Sequence, residues 1–166
     1  MTYPKIHRVV TGHNSEGKSI ITSNGPLTNV IELNMIPGLV LHEVWNTVGM
    51  PVLINNGIDP TSRSFELGPP KNGTKIRFAD IPPETKEFRL LKPHPFMHIT
   101  ESIDYSIVME GEITLVLDDS EVDLQRGAVV VQRGTNHAWA NRSSTVCRML
   151  YILIDGQYDA SINKGN

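Results

Sequence analysis

Between His94 and Asp155 the chain carries five short apolar runs with a turn signal after each, and this succession constrains the fold more than any other feature. Ile107-Val108-Met109 leads into Glu110-Gly111-Glu112, and Ile113 to Leu117 breaks at Asp118-Asp119-Ser120. Val122-Asp123-Leu124 is followed by Gly127, Ala128 to Val131 by Arg133-Gly134, and Val146 to Ile154 closes the series. Runs this short, rich in Val, Ile and Leu and punctuated every 8–12 residues, are strands of a sandwich or barrel. No 3.6-residue period is sustained, so helix is the poorer reading.

The first half of the chain reads the same way. Ile6 to Val10 and Ser19 to Thr22 flank a Gly- and Asn-containing loop and predict a hairpin that Asn24-Gly25-Pro26 stops. Val30 to Leu33 and Leu39 to Trp45 are strand candidates separated by Pro37-Gly38. In the second, Leu39, Leu41 and Glu43 share one face, and Val40, His42 and Val44 share the other. Pro51 to Asn72 reads as a long loop, which in a compact domain is functional or an arm against a partner. Lys75 to Phe78 is a further strand, Ile81 to Glu84 an irregular turn, and the tail after Asp155 lacks apolar density.

Composition narrows the function classes. With 166 residues the chain is long enough for one domain with its own core, without disulfides or a structural metal. The net charge of −3 and the absence of a basic stripe argue against nucleic acid, and no apolar window reaches a membrane span. The start, Met1 to Lys5, has no apolar core of a secretory signal, so a reduced cytoplasmic compartment is the expectation. The single Cys147 excludes an internal disulfide and is read as a small buried hydrophobe rather than a nucleophile. No nucleotide cofactor is expected.

Polar residues on this scaffold carry a resemblance. His98-Ile-Thr100-Glu-Ser-Ile-Asp104-Tyr-Ser-Ile-Val-Met-Glu-Gly111 resembles the first motif of the cupin superfamily, His-x-His, three or four residues, Glu, six residues, Gly. Gly127-Ala-Val-Val-Val-Gln-Arg133-Gly134-Thr-Asn-His137-Ala-Trp-Ala-Asn141 resembles the second, a Gly-led strand ending in Gly-x-x-His-x-x-x-Asn. Thr100 stands in place of the family's second histidine and Asp104 in place of its glutamate. Arg133 occupies the region of the usual proline, and the Gly-to-His interval is one residue short. The resemblance implies an all-β fold, a single cupin-type jelly-roll barrel with an N-terminal strand extension. Residues 1–85 are then N-terminal strands and a dimerisation arm completing the barrel, 86–156 the core with both motifs, and 157–166 a tail. By type only His98 and His137 carry over as ligands of a divalent transition metal (Zn, Fe or Mn); Asp104, one methylene shorter than Glu, could join them by chemistry in an under-liganded set with positions open for water or substrate. A homodimer joined through the residues before about Ser23 follows from the same resemblance; the competing reading is that this hairpin covers its own barrel.

His98 and His137, on matching positions of two ordered motifs, are candidate ligands or acid/base groups. Asp104 is a ligand, a base or a turn residue, since a carboxylate in an apolar barrel becomes a useful proton acceptor. Tyr105, beside it, is a candidate donor to a substrate oxyanion. For substrate binding, Thr100 alternates with His98, and Trp139 shares the face of His137 as a cavity wall or core filler. Arg133, next to Gln132, is a candidate bidentate clamp for a carboxylate or else a surface ion pair. His42 is a candidate for reaching the cavity or a satisfied core residue. His94, between two prolines, is read as loop, His7 and His13 as surface, and Asn141 as a turn residue.

Two functions of different class fit this reading. One is an enzyme of lyase or isomerase type, decarboxylating, dehydrating or cyclising an oxygenated organic acid or polyketide-like substrate, with a dioxygenase still formally available. The other is a binding cupin whose histidines only hydrogen-bond its ligand. Fold alone does not choose between them.

Overall fold

The computed structural model describes residues 4–62 and 64–162. The positions of Met1 to Tyr3 and the last four residues of the tail lie outside them. Among the described residues there are eleven strands: β1 (His7–His13), β2 (Ser19–Pro26), β3 (Val30–Glu32), β4 (Val40–Thr47), β5 (Thr74–Ile81), β6 (Ser102–Glu110), β7 (Glu112–Leu117), β8 (Glu121–Gln125), β9 (Val129–Arg133), β10 (His137–Ala140) and β11 (Cys147–Asp155). One short helix, α1 (Lys86–Leu90), was not legible as such. Thr85 caps it by accepting from Phe88 N at 3.3 Å, with Glu87 in the first turn and Arg89 in the last, the charge order that a helix dipole favours.

All pairings are antiparallel, as a jelly roll requires. A six-stranded sheet runs β3-β4-β5-β11-β6-β9, a three-stranded sheet runs β10-β7-β8, and β1-β2 forms a sheet of its own. The ladders do not close into one continuous barrel; the sheets face each other across the core instead. The hairpin between β6 and β7 turns on Gly111, whose φ of 82° is open to glycine at little cost. The N-terminal strands are integral to the fold, because β5 pairs along β11 from Ile81↔Cys147 to Thr74↔Ile154.

Alternation decides what faces inward. On β11, Cys147, Met149, Tyr151 and Leu153 point to the core, and on β6 Ser102, Asp104, Ser106 and Val108 do. Val108, Ile113, Cys147 and Met149 form the packed centre, with Trp139 and Tyr151 against it. Cys147 is buried and its thiol is pushed up to about 12 by that burial, so it is the inert hydrophobe the sequence suggested. The β1-β2 hairpin is tied to the rest by Arg8, which donates to the Val44 carbonyl at 3.0 Å and pairs with Asp59. β2 continues through Asn24-Gly25-Pro26, which were expected to end it. Among the described residues no helix is long and apolar enough to cross a membrane.

Candidate active site between the two sheets

His98 and His137 meet as an isolated antiparallel bridge. His98 N donates to the His137 carbonyl at 2.9 Å, and His137 N to the His98 carbonyl at 3.0 Å. This pairing stitches the segment before β6 to the start of β10 and sets the two rings side by side, centroids 4.3 Å apart. Each Nδ1 lies 2.9 Å from a carbonyl oxygen, that of Phe96 for His98 and that of Thr135 for His137. A carbonyl only accepts, so the proton of each neutral ring is assigned to Nδ1 and each Nε2 is left as an acceptor. The convergence of the two motif histidines is thereby observed.

The rings differ in environment. His98 is exposed and His137 is buried. Burial, with the charge of His98 second, pushes His137 down to about 4 against the opposing Thr135 carbonyl. Trp139 stands edge-on to His137 at 5.9 Å and 5.7 Å from Tyr151, so it fills core and walls the site at once.

Opposite them, the six-stranded sheet presents two polar rows. Register aligns Glu43, Arg77, Tyr151 and Ser106 across β4, β5, β11 and β6, and Lys75, Leu153, Asp104 and Gln132 across β5, β11, β6 and β9. Asp104 accepts from Ser102 Oγ at 2.6 Å. Burial raises its carboxyl above the usual range, although Ser102, His98 and Arg77 all pull it down. Arg77 Nε lies 2.9 Å from Glu43 Oε1. Lys75 is lowered to about 8, by burial first and Arg77 second, against Glu43 and Glu66. Tyr151 is pushed well up by burial.

The sequence reading missed Glu43, Lys75, Arg77, Ser106 and Tyr151 as site residues. Their signal was present: Lys75-Ile76-Arg77-Phe78 alternates strictly. Alternation does not say which face is inside, and the usual assignment of charge to solvent inverts the answer here.

Several expected site residues are placed elsewhere. Tyr105 projects from the face of β6 opposite to Asp104 and is 41% exposed, since neighbours on a strand point to opposite sides. Arg133 is exposed on the outer face of β9 for the same reason and is no interior clamp. His42 lies between the inward Leu41 and Glu43 and so faces outward, where it bonds Asp80 at 3.0 Å. Asp80 in turn takes Arg148 through both oxygens at 2.6 Å. Gln132 does face inward, but its amide closes the following turn, accepting from Thr135 N at 3.2 Å. Thr100 is half-buried, its methyl on the side of Gly68. His94 is buried in the loop and bonds Glu84 at 3.1 Å. Asn141 braces its turn, donating to the Ile81 and Thr145 carbonyls at 2.8 Å.

Whether His98, Asp104 and His137 can hold a metal depends on how their donor atoms are directed. Two imidazoles with Nδ1 tied to carbonyls are oriented as metal-binding histidines are. No group of three His, Cys, Asp or Glu side chains among the described residues is arranged to hold an ion. Asp104 turns to Ser102 and is drawn between His98 and Arg77. The donor set thus falls one short of a resident metal site.

The family model for the cupin domain matches residues 80–153. Phomopsin biosynthesis cluster protein C' of Diaporthe leptostromiformis is 36% identical over 91% of this chain and 79% of its own length. Oryzines biosynthesis cluster protein J of Aspergillus oryzae is 30% identical over 93% and 86%. A cupin-domain-containing oxidoreductase of Hypocrea virens is 33% identical over 89% and 75%. With both motifs, the antiparallel two-sheet fold and relatives along nearly its whole length, the chain belongs to the cupin superfamily.

Proposed function

We propose that this protein is an enzyme of small-molecule biosynthesis that moves a proton on an oxygenated organic acid, in lyase or isomerase chemistry between the facing sheets. The observation that carries the reading is the histidine pair, both Nδ1 atoms tied to carbonyls and both Nε2 atoms left as acceptors. His98 is the base, as the exposed ring of the pair, while burial holds His137 neutral. His137 Nε2 accepts from a substrate hydroxyl and orients it. Asp104, raised by burial and within the field of His98, returns a proton to the substrate. The biosynthesis-cluster names of two relatives support the small-molecule setting.

A second reading has its own support. A relative at 33% identity carries the name oxidoreductase, and two imidazole acceptors would fill two positions of a redox metal. Elemental analysis of the purified chain decides between them, stoichiometric transition metal favouring oxidation. The same proposal includes a homodimer, because β1-β2 is a separate sheet with Val9, Ile20 and Ile21 exposed.

The test is a deletion strain of the source organism. An organic acid that accumulates there should be converted by purified wild-type protein, and 10²–10⁴-fold more slowly by His98→Gln and His137→Gln. Conversion by both variants at the wild-type rate would refute the reading.

A further inference from the structure

β5 turns its polar face inward, so that Lys75 is 4% and Arg77 5% exposed. Cations so buried are found with compensating carboxylates. The carboxylate packed against them is Glu43, and even its contact with Arg77 is imperfect. At 2.9 Å the pair is close, yet Glu43 Oε1 and Arg77 Nε are not aligned as a hydrogen bond. What the cations share is a main-chain oxygen. Lys75 Nζ and Arg77 Nη2 both donate to the Glu66 carbonyl, Arg77 at 2.9 Å. The Phe65 ring lies over both, its centroid 5.9 Å from Nζ and 5.4 Å from Arg77 Cζ.

A carbonyl dipole brings no net charge. Among the described residues Glu43 is the one carboxylate in ion-pair contact with them; those of Glu66 and Asp104 act on Lys75 and Arg77 only through space, and the Glu66 carbonyl solvates the cations without neutralising them. Burial first, and the neighbouring Arg77 second, lower Lys75 to about 8. One oxygen held by an ammonium and a guanidinium together is the position that a carboxylate oxygen takes. The segment that fills it is a surface loop: Ser64, Phe65, Glu66 and Leu67 are exposed and belong to no helix or strand. Beside it, between Glu43, Thr61, Phe65 and Lys75, is a cavity of about 30 Å³, room for one oxygen-sized group.

We propose that Lys75 and Arg77 form an anion subsite in the interior between the sheets, taking the carboxylate of a small organic acid in place of the Glu66 carbonyl, with Phe65 closing over it. This rests on the proposed function and supplies the acid group of its substrate. Lys75 and Asp104 share one cross-strand row, two strands apart, or about 10 Å along the sheet. An acid held at the subsite therefore extends over Tyr151 and Leu153, and its reacting end lies toward Asp104 and the imidazoles.

Calorimetric titration of the full chain with acetate and benzoate, against acetamide and benzamide at fixed ionic strength, tests this. The acids should bind at least tenfold more tightly than the amides, and Lys75→Met should weaken them at least tenfold. Removing Arg77 alone strands Glu43 in the interior, so the double variant Glu43→Gln/Arg77→Gln, which removes both charges together, should show the same loss. Circular dichroism of each variant separates lost binding from lost structure. Failure of both acids to bind wild type, amides binding as tightly as acids, or wild-type affinity in both variants would each overturn the subsite. Simple acids lack the oxygenated centre of the proposed chemistry, so these outcomes strike the subsite alone and leave the turnover assay of His98 and His137 standing.

Discussion

Replacing His137 with Gln should change how stability depends on pH, and the structure sets both sign and size. Burial and the neighbouring His98 hold the ring at about 4 against an ordinary 6.5. Between those values the unfolded chain binds a proton that the folded chain refuses, so stability rises with pH across that window and is fully present above 6.5. At about 1.4 kcal/mol per pH unit, the whole effect is about 3 kcal/mol, lost as pH falls from about 6.5 to about 4. Gln cannot titrate. The wild-type stability minus that of His137→Gln should therefore grow by up to about 3 kcal/mol from pH 4 to pH 7. In this difference the opposite contribution of Asp104, raised by burial and stabilising toward low pH, largely cancels. Urea midpoints at half-unit pH steps, in chelator so that no bound ion competes with the proton, measure it. A difference independent of pH would show that His137 is not held neutral, and the division of roles between the two rings would fall with it.

Tyr105→Phe and Arg133→Ala should each leave turnover of the accumulated acid within twofold of wild type, since both side chains are on the outer face; a hundredfold loss would place them in the site. Met149→Ala, at a fully buried position in the packed centre, should cost about 2–5 kcal/mol in urea denaturation. A cost under 1 kcal/mol would mean that the centre is not packed as described. Removing residues 1–22 should shift the sedimentation profile or lower solubility by uncovering what β1-β2 covers; an unchanged profile with unchanged stability would exclude the hairpin from a dimer joint.

The sequence determined the fold class by itself, because alternation and turn residues are local. Ile113 to Leu117, the Asp118-Asp119-Ser120 turn and Gly111 act on their own few neighbours, and the strands fall where those residues put them. It also named His98 and His137, whose positions are set by two motifs in order. The short helix escaped because Thr85 and Glu87 cap only five residues between prolines, too few for a period to show. What only the tertiary structure decided is which face of each strand is inside. A period of two places Tyr105 and Asp104 on opposite faces, and Lys75 with Arg77 on the same one, without saying which meets the core. That choice rests on pairing between segments far apart in sequence: β5 along β11 turns Lys75 and Arg77 inward, and the same register sends His42 out to Asp80. The polar interior is thus a product of long-range register, which no local pattern encodes.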